Sequence, residues 1–209
     1  MKVEKYFGTK FKTIFIEKRK IENKNIKRLK FWGKVFGKLK LASKVEGGFS
    51  GNLSFRTKKG FIITASGANL SELKDFDFVE IVKADIKNKK VFVYGLKYPS
   101  SESFLHYKIY ELRNEIKAIF HGHDDLILKF YKQLKIPVTK KEAPYGSISL
   151  ANEAINILKE HPKINYFILK NHGFVSLGKT IAQAGKTSIE YHKKAMKIIK
   201  ENNNYDNNL

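Results

Sequence analysis

Beyond residue 60, three short apolar runs follow one another closely: FIIT at 61–64, FVEIVKA at 78–84 and VFVY at 91–94. They are rich in β-branched and aromatic residues and are too short for helices, so each predicts a strand. Connections this short close hairpins, whereas parallel neighbours need a crossover of about a dozen residues or more. Two later runs, IKAIF at 116–120 and NYFIL at 165–169, alternate with helical patterns instead. The chain therefore predicts an α/β fold in one domain, with a mixed sheet that combines hairpins and crossovers.

The helical patterns are equally regular. Ile26, Leu29, Trp32, Val35, Phe36 and Leu39 recur at steps of three and four, which predicts an amphipathic helix with its lysines in water. Gly47-Gly48 is expected to end it. Upstream, FKTIFI at 11–16 predicts a short strand with Phe11, Thr13 and Phe15 on one face. Pro99 is expected to start a helix over 100–113, and further helices are expected over 124–134, 149–159 and 180–199. No repeat or long linker divides the chain. The expected organisation is a basic N-terminal extension over 1–25, one domain over 26–200 and a frayed, Asn-rich tail over 201–209.

Charge asks what the surface is for. The formal net charge is +21, and residues 1–45 alone carry 15 basic and 3 acidic side chains. Of the 41 basic residues only Arg19, Arg28, Arg56 and Arg113 are arginine. Sequence-specific nucleic-acid recognition leans on arginine's planar fork, while lysine acts as a solvated point charge. The lysine excess, beside 15 asparagines, fits compositional bias better than a nucleic-acid surface. No apolar run approaches the roughly 18 residues of a membrane span, and the N-terminus lacks a signal-peptide layout. With no cysteine in the chain, disulfides and thiolate chemistry are excluded, and a cytoplasmic location is expected.

Any metal must therefore rest on His, Asp or Glu. His121 and His123 follow the apolar run at 116–120, and residues i and i+2 of an extended chain point to one face. H-x-H alone is weak evidence for a metal. His172 adds to it, in Asn171-His172-Gly173, where glycine allows a sharp turn and close backbone approach. Glu102 adds more, in Pro99-Ser100-Ser101-Glu102 at the start of a helix. Three imidazoles and a carboxylate suit zinc, with manganese, cobalt or iron as alternatives. Singly, each has a plainer explanation, since a first-turn acid also answers the helix dipole.

Five strings occur in order: Gly51-Asn52-Leu53-Ser54-x-Arg56, Ile63-Thr64-x-Ser66-Gly67, Pro99-Ser100-Ser101-Glu102 with His106, His121-x-His123 and Asn171-His172-Gly173. Together they resemble the class II aldolase/adducin family over about residues 30–200. The resemblance implies a single three-layer α/β/α domain around a mixed, largely antiparallel sheet. It also implies a homotetramer with active sites between subunits. It gives His121, His123, His172 and Glu102 to a divalent metal, most readily Zn²⁺, and makes Glu102 the catalytic acid/base. Asn52, Ser66, Gly67, Ser100 and Ser101 match the positions that hold a substrate phosphate, with Lys97 close by in sequence.

The expected function is that of a metal-dependent aldolase, a lyase of carbohydrate metabolism. It would cleave a ketose 1-phosphate to dihydroxyacetone phosphate and an aldehyde through a metal-stabilised enediolate. Two alternatives stand beside it: other enolate chemistry on a sugar phosphate (epimerase, dehydratase or decarboxylase), and a non-catalytic adducin-like assembly module. The segment between His123 and Pro144-Tyr145-Gly146 is shorter than in the sugar-phosphate aldolases, where it carries an aromatic acid. Tyr145 and Tyr205 are the candidates for the missing proton donor. Asp124 and Asp125 either replace it or cap the next helix, and capping is the expected role.

Overall fold

The computed structural model describes residues 8–206, the last five as helical backbone only. Alternation along the strands sets up the layering. In β5 (Phe61–Thr64) the side chains of Phe61 and Ile63 join one core and Ile62 the other; in β6 (Phe78–Asp85) Val79 and Ile81 oppose Phe78 in the same way. Both faces of the sheet are thus dry, which is why these strands read as unbroken apolar runs.

The remaining elements complete an eight-stranded sheet. They are β1 (Lys12–Glu17), α1 (Ile26–Lys38), β2 (Lys44–Val45), β3 (Gly48–Phe49), β4 (Asn52–Arg56), β7 (Lys90–Tyr94), α2 (Ser103–Leu112), β8 (Ala118–Gly122), α3 (Asp125–Phe130), α4 (Ile148–Glu160), β9 (Tyr166–Leu169), β10 (Gly173–Gly178) and α5 (Ile181–Asp206). Strand order is β1-β7-β6-β5-β4-β8-β10-β9, with β2 and β3 as a separate hairpin. Only β1 and β7 run parallel; the other pairs of the main sheet are antiparallel. Helices α2 and α4 cover one face and α1, α3 and α5 the other. This is the three-layer α/β/α domain with a mixed, largely antiparallel sheet that the sequence led us to expect.

Helix α1 docks as a surface helix with a solvated lysine face. Leu29 and Phe36 are fully buried, and the rings of Trp32 and Phe36 meet Phe120 edge-on. Burying each such side chain contributes about 1.5–3 kcal/mol. Its end differs from expectation. Lys40 takes the left-handed conformation (φ +56°) and Leu41 N–H closes back onto Phe36 O at 2.9 Å, while Glu46-Gly47 turn the β2–β3 hairpin and Gly48 opens β3. A lysine in the left-handed cap position leaves no glycine signal to read.

Other boundaries shift too. Strand β8 runs two residues later than expected, so His121 lies within it. Helix α3 stops at Phe130, short of residue 134, and α5 continues past residue 199 to Asp206. Strands β4 and β10 were not anticipated, because buried serines interrupt their apolar pattern. Ser54 bonds His106 Nδ1 at 2.7 Å and Tyr110 Oη at 2.8 Å, and Ser176 donates to Ala184 O. Once paired in this way a buried hydroxyl costs little.

Candidate metal centre

His121 sits at the middle of the sheet, opposite Asn52 on β4 and Val175 on β10. Its Nδ1–H donates to the Phe174 carbonyl at 2.8 Å, which fixes the tautomer and turns the Nε2 lone pair outward. Burial first, then the neighbouring His172 and His123, push its pKa well below the usual imidazole range, so the ring is neutral. Nε2 of His121 lies 3.2 Å from Nε2 of His123. The ring of His172 stacks on that of His121, 5.0 Å between centres and 6° from parallel. One ligand atom from each of the three lies within 4.8 Å of the others.

The β9–β10 turn delivers His172. Asn171 adopts φ +56° and its amide donates to Glu142 at 2.7 Å, so asparagine rather than Gly173 makes the sharp turn. Gly173 serves close approach instead. A Cβ there would stand 2.4 Å from Gly122 O and 3.0 Å from His121 Cε1. Any side chain would force the two loops apart.

Glu102 comes from the opposite helical layer. It is the N-cap of α2 rather than part of its first turn, because Ser100 is still extended and donates its N–H to Thr64 O at 3.1 Å. Ser103 Oγ then donates to Ser100 O at 2.5 Å, turning the chain into the helix. Glu102 is 5% exposed. Its Oε1 accepts the Gly146 N–H at 3.2 Å and lies 3.4 Å from His172 Nε2. Gly146 has φ +64°, and a Cβ there would lie 2.9 Å from Ser101 O. Glu102 Oε2 is buried with no hydrogen-bond partner among the described residues. A buried carboxylate oxygen in that state is costly without a cation. Together with the Nε2 lone pair that His121 turns toward His123, it makes this donor set fit a divalent metal ion.

The segments expected around a phosphate also come together, with three changes of detail. Ala65 bridges to Pro99, and Ser66 N–H donates to Tyr98 O at 3.0 Å, so Ser66-Gly67 runs beside Pro99-Ser100. Gly67 takes φ +65°. Asn52 is buried beside His121 and its Oδ1 has no hydrogen-bond partner among the described residues. The main-chain N–H of Ser100, however, is committed to Thr64. Ser101 Oγ donates to Gly8 O at 3.2 Å. Lys97 pairs with Asp77 at 2.7 Å, so its charge is matched within the fold.

Tyr145 precedes the glycine that holds Glu102 and is 9% exposed. Tyr205 lies near the end of α5, and its side chain is outside the described residues. Asp124 caps α3, accepting from Leu126 N–H at 3.0 Å, as expected. Its second oxygen accepts from His192 Nδ1 at 2.7 Å, a pairing across 68 residues that no local pattern signals. Arg56 closes the end of α2 by donating to the Tyr110 and Ile116 carbonyls, a structural role for that motif residue.

The family model described as the class II aldolase and adducin N-terminal domain matches residues 35–128 and 124–199. An L-fuculose phosphate aldolase of Methanococcus maripaludis is 33% identical over 153 residues, covering 66% of this chain and 77% of that protein. A methylthioribulose-1-phosphate dehydratase of Leptospira biflexa is 30% identical over 169 residues, covering 66% of this chain and 80% of that protein. Among solved structures, an L-fuculose 1-phosphate aldolase superposes with a TM-score of 0.69 at 26% identity, covering 89% of each chain.

Proposed function

The chain belongs to the class II aldolase and adducin family, and from that premise we propose that it cleaves a ketose 1-phosphate to dihydroxyacetone phosphate and an aldehyde. The observation that carries this reading is the convergence of His121, His123 and His172, beside a buried carboxylate, Glu102, whose second oxygen has no hydrogen-bond partner among the described residues. A non-catalytic module has no use for a complete donor set of this kind.

In this reading His121, His123 and His172, with Glu102, hold the metal, and zinc is our choice for it. A divalent cation bound there acts as a Lewis acid toward a substrate carbonyl and lowers the cost of negative charge on the adjacent carbon. The protein does the rest. Asn52, Ser66, Gly67, Ser100 and Ser101 grip the phosphate, remote from the reacting bond, and so position the carbonyl. As the C3–C4 bond breaks, Tyr145 relays the C4 hydroxyl proton, its phenol oxygen taking that proton while giving its own to solvent, and the aldehyde departs; in the reverse direction it is the proton donor. Glu102, which holds the resting metal and would leave it when substrate binds, passes a proton from solvent to C3, which becomes the hydroxymethyl carbon of the product. The Gly146 N–H on Oε1 holds the carboxylate in place.

A second reading, dehydration of a ketose 1-phosphate, is favoured by the similarity to the methylthioribulose-1-phosphate dehydratase. Elimination would use the same Glu102, taking a proton from carbon instead of giving one. A homotetramer is the assembly we expect from the family resemblance. Incubating the metal-loaded protein with a panel of ketose 1-phosphates tests both chemistries. Triose phosphate release marks the aldolase, and a dehydrated dicarbonyl product marks the dehydratase.

A further inference from the structure

The N-terminal segment reaches the site, although it precedes residue 35, where the family match begins. Three contacts anchor it within four residues. The Gly8 carbonyl accepts from Ser101 Oγ at 3.2 Å, Lys10 Nζ stands 4.3 Å over the centre of the Tyr145 ring, and Phe11 packs on Phe104 with ring centres 5.0 Å apart. Ser101 and Tyr145 are the chain neighbours of Glu102 and of Gly146, which donates to it. Phe11 is 7% exposed and belongs to the core that includes Phe104 and Leu105, so the segment is fixed rather than draped. Lys10 itself is exposed. A buried anchor on one side and a serine contact on the other leave an ammonium group at the rim, held over an aromatic face.

We propose that Lys10 is a specificity-determining residue that selects a substrate carrying a phosphate. This rests on the reading of Ser100 and Ser101 as part of the phosphate cradle. The cradle on the family-matched part of the chain is neutral: an asparagine amide, serine hydroxyls and main-chain N–H groups. Such donors orient an anion but do not balance its charge. Lys97, the cation nearest in sequence, is matched by Asp77, and no acidic partner of Lys10 is found among the described residues. A mobile ammonium beside neutral donors can swing from the Tyr145 ring to a phosphate oxygen, adding a charge-assisted hydrogen bond. The packing of Phe11 on Phe104 keeps the lysine within reach when Ser101 Oγ turns from Gly8 O to the phosphate.

The test titrates inorganic phosphate into zinc-loaded full-length protein by calorimetry at fixed ionic strength. Wild type is compared with Lys10→Gln, Lys10→Arg and Lys163→Gln. Lys163 is an exposed control at the opposite edge of the sheet, before β9. Lys10→Gln should bind phosphate about tenfold more weakly or worse, Lys10→Arg should stay close to wild type, and Lys163→Gln should not change. Melting temperatures for all four proteins should agree, showing that the segment remains docked through Phe11. If Lys10→Gln matches Lys163→Gln while wild type binds phosphate, the role of Lys10 is refuted and the cradle stands. If wild type binds no phosphate at all, the cradle and the role of Lys10 fall together.

Discussion

Glu102 Oε1 lies 3.4 Å from His172 Nε2, although the two residues belong to separately matched segments of the chain and to different layers of the fold. Helix α2 packs on one face of the sheet and supplies the carboxylate; the β9–β10 turn at the sheet's end supplies the imidazole. Neither element could place a cation site alone. Their meeting depends on Ser100 staying extended against Thr64, which postpones the helix to Ser103 and sets Glu102 at its cap.

Metal retention follows from that meeting. Purified protein should hold about one divalent ion per chain, and His121→Ala or His123→Ala should lose it under the same growth conditions. Elemental analysis reads the result. Protein that neither carries nor takes up zinc, cobalt or manganese on titration would exclude the metal assignment.

Glu102→Gln separates binding from proton transfer. The amide keeps an oxygen for the Gly146 N–H, and three imidazoles remain, so most of the metal should be retained. Turnover should fall about 10²–10⁴-fold, since the proton carrier is gone. Near-normal turnover in this variant, with metal bound, would remove Glu102 from the acid/base role.

The sequence made much of this legible and hid the rest for identifiable reasons. The strand at 61–64 was plain because it is buried on both faces and reads as an unbroken apolar run, and the helix from Ile26 because it buries residues at steps of three and four. H-x-H predicted that two imidazoles share a face, and Nε2 atoms 3.2 Å apart follow from it. Strands β4 and β10 were obscured because Ser54 and Ser176 are buried yet hydrogen-bonded, and composition cannot report a partner 52 residues away. The end of α1 was misread because Lys40 occupies a conformation usually left to glycine. Nothing local in the sequence links His192 to Asp124, because only the packing of α3 on α5 brings them together.

The Asp124–His192 pair should matter for stability rather than chemistry. Asp124→Ala removes the cap of α3, worth about 0.5–2 kcal/mol, and a hydrogen bond to a charged group, worth about 1.5–3 kcal/mol. Urea unfolding should therefore show a loss of about 2–5 kcal/mol. A change below about 0.5 kcal/mol would mean that the buried pair is not formed in solution.

Acid should destabilise the fold through His106. Burial lowers its pKa from 6.5 to about 3, with Nδ1 on Ser54. Because the folded value is depressed, the unfolded chain binds the proton first. The stability this group supports is present above pH 6.5 and is lost as pH falls toward 3. The slope approaches about 1.4 kcal/mol per pH unit within that window. His106→Gln, at constant ionic strength, should flatten this part of the stability profile. An unchanged slope would show that His106 is protonated in the folded protein.

The most direct measurement of the central claim is product analysis with zinc-loaded wild type and Glu102→Gln on a panel of ketose 1-phosphates. Dihydroxyacetone phosphate should appear with its aldehyde in equal amounts for at least one member of the panel. Its formation should stop on chelation, recover when zinc is restored and be largely absent with Glu102→Gln. Zinc-loaded wild type that releases no triose phosphate from any member, or releases it equally well after chelation, would contradict the proposed metal-dependent cleavage.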